Sequence, residues 1–81
     1  MCKQYVENTI RHEFKKTNYN IAGIVWNTYT TEVEEGYFET DTVVTICLKE
    51  TFSWRKLYRR FSRLETKLNK KCGVSLEVVK A

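Results

Sequence analysis

The residues best placed to do chemistry are eight Lys and Arg crowded together: Arg55, Lys56, Arg59, Arg60, Arg63, Lys67, Lys70 and Lys71, against the single carboxylate of Glu65. Guanidinium and ammonium groups at this density hold anions, and the planar fork of Arg suits phosphate oxygens taken two at a time. The spacing sharpens the point. Arg55–Arg59, Lys56–Arg60, Arg59–Arg63, Arg63–Lys67 and Lys67–Lys71 each lie four positions apart. On a helix these pairs repel, at a summed cost on the order of 1–2 kcal/mol at low salt. A helix face that is only solvated avoids that cost by mixing signs. A polyanion or an acidic protein face relieves it.

No other constellation carries comparable chemistry. His12 is the only histidine and has no Cys three or four positions away, so no metal site is expected. Gly23, Gly36 and Gly73 are isolated and form no phosphate-cradling loop. Glu39 and Asp41 are two apart on an expected strand and short of the oxygen ligands a hard cation needs. Cys2, Cys47 and Cys72 are odd in number and far apart, which predicts reduced thiols rather than a disulfide framework. The chain is therefore expected to be no enzyme and to need no cofactor.

These side chains need elements to position them. Val6, Ile10 and Phe14 recur every four residues and predict a helix over 2–16. Residues 21–31, IAGIVWNTYTT, read as a strand, with Ile24 and Trp26 on one face, Val25 and Tyr29 on the other, and a bulge at Gly23. Gly36 marks a turn into a second strand over 37–49, with Phe38, Val44, Ile46 and Leu48 inward. Ser53 is a suitable N-cap for a helix over 53–72, with Phe52 and Leu57 at the staple positions and Gly73 as the C′ residue. At 100° per residue, Trp54, Leu57, Tyr58, Phe61, Leu64 and Leu68 share an arc of about 120°, and the basic residues take the remaining surface. Val74, Leu76 and Val78 then alternate inward along a last strand.

Together these predict an α+β fold: one small domain over residues 1–81, ordered α-β-β-α-β, with two helices packed on one face of a three-stranded sheet. The last strand follows a helix and is free to add in parallel. The order is similar to the type II KH arrangement, a small RNA-binding α+β fold whose signature is a GxxG loop. No GxxG occurs in this chain, and the resemblance is one of topology alone.

Charge and size bound the function. The formal net charge is +4, yet no Lys or Arg occurs between Thr17 and Leu48, a gap holding Glu32, Glu34, Glu35, Glu39 and Asp41. No apolar run is long enough for a membrane span and the N-terminus lacks an apolar leader, so the expected setting is cytoplasmic, without membrane association. The expected activity is binding to the backbone of a nucleic acid, DNA or RNA, through Arg55, Arg59, Arg60, Arg63, Lys67, Lys70 and Lys71. The alternative is a small regulator or inhibitor, cellular or viral, that docks on an acidic surface of a partner protein. Trp26, Tyr29, Tyr37 and Val43 are the candidates for a protein interface, including a homodimer, because aromatic residues left outward on a sheet favour such contacts.

Overall fold

The computed structural model describes residues 2–81. It contains helix α1 (Cys2–Phe14), strands β1 (Ile21–Glu34) and β2 (Tyr37–Leu48), helix α2 (Trp54–Cys72) and strand β3 (Val74–Lys80). β1 and β2 form an antiparallel hairpin, and β3 lies parallel to β2, giving the order β1-β2-β3. This is the expected small α+β domain.

The core follows from the two periodicities. Val6, Ile10 and Phe14 of α1 and Leu57, Phe61, Leu64 and Leu68 of α2 are buried against Val44, Ile46, Leu48, Val74 and Leu76 of the sheet. Val44 pairs with Leu76 and Ile46 with Val78, so the parallel register brings the inward rows of both strands under the helices. Gly73 ends α2 at φ 67°, where its N–H reaches the Asn69 carbonyl, a left-handed geometry that glycine enters freely. A register shift between Ile21 and Gly23 marks the expected irregularity in β1.

The two helices run antiparallel. Arg60 Nη1 meets Glu13 Oε1 at 3.1 Å at one end, and Lys71 Nζ lies 4.5 Å from the Tyr5 ring centre at the other. This arrangement also brings Cys2 against Cys72, and the three cysteines are free thiols, Cys47 and Cys72 half-buried.

Several expectations are corrected. α1 stops at Phe14, and β1 continues three residues further than expected, to Glu34. Ser53 makes no side-chain cap; its carbonyl accepts the Lys56 and Leu57 N–H groups, and its own N–H donates to the Tyr19 hydroxyl. Phe38 is on the helix side of the sheet, as alternation requires, but is 63% exposed because no helix reaches that far along the hairpin. Every residue from Asn27 to Asp41 is exposed, so the hairpin leaves the core as a two-stranded arm. Seven or eight residues at about 3.3 Å each give that arm a reach of roughly 25 Å, in a molecule whose longest extent is 46 Å. Trp54 and Tyr58, expected on the buried face of α2, are about half exposed at its flank.

Candidate nucleic-acid interface

α2 is amphipathic with its basic side outward. Its core-facing residues Leu57, Phe61, Leu64 and Leu68 recur at spacings of three and four, which leaves Arg55, Lys56, Arg59, Arg63, Lys67 and Lys70 exposed along the solvent side. None of these six forms an ion pair among the described residues. The first turn holds no acidic residue, so the partial positive charge of the helix N-terminus adds to the field of Arg55 and Lys56.

The two remaining basic residues are engaged. Arg60 is half-buried and bound to Glu13, which also meets Lys16 at 3.7 Å; Lys71 sits over Tyr5. Both keep their charge on the helical layer while being held in place. Arg60 forms, with Lys56, Arg59, Arg63 and Glu13, the wall of a surface recess of about 310 Å³. Three guanidinium groups and one ammonium group around such a recess present more N–H donors than Glu13 accepts, and a phosphate is the anion whose oxygens take several donors at once.

Glu65 does not neutralise this face. Its carboxylate turns to the flank of α2 and accepts the backbone N–H of Leu76 at 3.0 Å, while Asn69 Nδ2 donates to the Val74 carbonyl at 3.2 Å. Both side chains are spent on the outer edge of β3.

A second basic recess, about 430 Å³, lies beside the C-terminal end of α1 and carries Arg11, Lys15 and Lys49 with Tyr19 and Asn20. None of these residues belongs to the binding set expected from the sequence. The signal was there in composition: residues 2–16 and 54–72 hold twelve of the fourteen Lys and Arg and three of the ten acidic residues, whereas the sheet and loops hold seven acidic residues. The packing of both helices on one face of the sheet, as expected from the element order, gathers these charges on one side of the molecule.

The expected interface set divides. Tyr29, Tyr37 and Val43 stand on the sheet face opposite the helices, Tyr29 paired with Asp41 and Val43 with Asn27. Trp26 does not join them. It pairs with Val44 on the helix side, packs against the core, and donates from Nε1 to Glu7 Oε2 at 2.8 Å.

No group of three or more His, Cys, Asp or Glu capable of holding a metal occurs among the described residues, and no helix among them is long and apolar enough to cross a membrane. No protein-family model matches the chain, nor does any curated protein or solved structure.

Proposed function

We propose that this domain binds the phosphate backbone of a nucleic acid on the outward face of α2. The observation that carries the reading is the set of exposed, unpaired cations along one helix: Arg55, Lys56, Arg59, Arg63, Lys67 and Lys70. Arg60, anchored by Glu13, completes the recess in which a phosphate would sit. Phosphate contacts fix position and carry little sequence information. Of the amide side chains that read adenine, α2 offers only Asn69, which is spent on the Val74 carbonyl. Binding is therefore mainly electrostatic and tolerant of sequence. The three free thiols suit a reducing compartment such as the cytoplasm.

The test is a mobility-shift titration with single- and double-stranded oligonucleotides at several salt concentrations. Four to six phosphate contacts give a log affinity that falls against log salt with a slope of about −3 to −5. Arg59→Glu with Arg63→Glu is expected to remove binding while circular dichroism stays unchanged, since both side chains are exposed and unpaired. Retained affinity in that variant at about 100 mM salt, where phosphate contacts still act, overturns the proposal.

A further inference from the structure

We infer that the arm of one copy of this chain docks on α2 of another. Paired residues of an antiparallel hairpin share a face. The pairs Tyr29–Asp41, Thr31–Glu39 and Glu34–Tyr37 therefore put three carboxylates and two tyrosines on the open side of the arm. Tyr29 is 54% and Tyr37 70% exposed. No cation lies anywhere on the arm.

The complementary surface is on the same molecule and beyond the arm's reach. Among the described residues, five of the seven exposed large apolar side chains belong to the hairpin; the other two are Trp54 and Tyr58 of α2. Trp54 stacks on Tyr58 edge-on at 5.8 Å and on Phe61 at 4.9 Å, which fixes both exposed rings. Around the helix these rings adjoin Arg55 and Arg59. Aromatic area and positive charge on α2 thus face aromatic area and negative charge on the arm. The arm leaves the core beyond the helices, and no ion pair joins it to α2 within one chain, since both ion pairs among the described residues use Glu13.

Two energetic facts favour the contact. A two-stranded ribbon without a covering layer is marginal in water, so a surface that covers it stabilises it. The like-charge crowding along α2 is relieved by any anionic surface, and a second copy supplies one at no cost in composition. The contact is salt-sensitive because its charges are exposed. It depends on no nucleic acid, and it competes with one for Arg55 and Arg59.

Sedimentation velocity on the full chain decides it, after nuclease treatment and an ultraviolet absorbance ratio showing that no nucleic acid remains. At about 50 mM salt the mass is expected to be at least about twofold that of the monomer, and at about 500 mM, where the screening length falls to about 4 Å, it returns to the monomer. The arm variant Glu34→Lys, Glu39→Lys, Asp41→Lys and the helix variant Arg55→Glu, Arg59→Glu are each expected to be monomeric at low salt. Mixed together they form a complex, because the acidic arm of the helix variant meets the intact basic helix of the arm variant. A wild-type monomer at about 50 mM salt, oligomers that survive either variant or high salt, or two variants that fail to associate each overturn the inference. An oligomer held by Val25 and Val43 on the open sheet face gives the second of these results. Loss of nucleic-acid binding with self-association intact overturns only the proposed function.

Discussion

The carboxylate of Glu65 accepts the backbone N–H of Leu76 at 3.0 Å, across the groove between α2 and the edge strand β3. The only acidic residue of α2 is thus withdrawn from the basic face and serves the sheet. Charge-assisted bonds to backbone donors are worth more than neutral ones. Glu65→Ala is expected to lower stability by about 1–2 kcal/mol in urea denaturation. Affinity for an oligonucleotide does not fall in the same variant, because no phosphate contact is lost.

The arm and the core respond differently to truncation. Ile46 is fully buried and Phe38 is 63% exposed, although alternation places both on one side of β2. Ile46→Ala is expected to cost about 2–5 kcal/mol. Phe38→Ala is expected to stay within about 0.5 kcal/mol of the native domain. Chemical denaturation of the two variants side by side checks this.

The loop entering β1 is tied to the loop leaving β2 by one carboxylate. Glu50 accepts the Asn20 backbone N–H at 3.0 Å and the Asn20 side-chain amide, and these bonds hold its pKa below the usual carboxylate range. The folded domain therefore binds this proton less tightly than the unfolded chain. The stabilisation is complete above the ordinary glutamate pKa of about 4.3 and is lost as pH falls through the lower folded value. Glu50→Gln is expected to flatten the fall of melting temperature below about pH 5. An unchanged acid profile argues that the tie does not form in solution.

The thiols of Cys2 and Cys72 meet where the N-terminus of α1 passes the C-terminus of α2. A hydrogen bond with Cys2, then burial, pushes the Cys72 pKa up. The thiolate is the reactive form, so Cys72 is expected to alkylate slowly near pH 8. Cys2→Ala removes the raising contact and is expected to accelerate that reaction, followed by mass spectrometry of the modified peptide.

Much of this architecture is legible in single residues. The four-residue recurrence of Val6, Ile10 and Phe14 places one helix, Gly73 ends the other, and Val74, Leu76 and Val78 face inward on β3. What alternation reports is the side of a strand, not what covers it. Phe38 carries the same pattern as Ile46 and lies bare because neither helix extends over it. Trp54 and Tyr58 were misplaced for a related reason: an apolar arc of about 120° is wider than the strip α2 buries. The basic face of α2 was visible from spacing, but not that Arg60 and Lys71 of the expected set are engaged while Lys56, outside that set, is free. The roles of Glu13, Glu65 and Cys2 were not visible, because each depends on a partner 11 to 70 positions away that only the packing of α1, α2 and β3 brings near.

Strand β3 pairs with Thr42–Leu48 only after the whole of α2 has been traversed. A hairpin closes within microseconds because its strands are adjacent in the chain, whereas a parallel partner must first close a long loop. Sheet completion is therefore expected late in folding. Truncation of Leu76 or Val78, which pair with Val44 and Ile46, is expected to change the refolding rate, and changes at the tip of the ribbon to leave it unaltered.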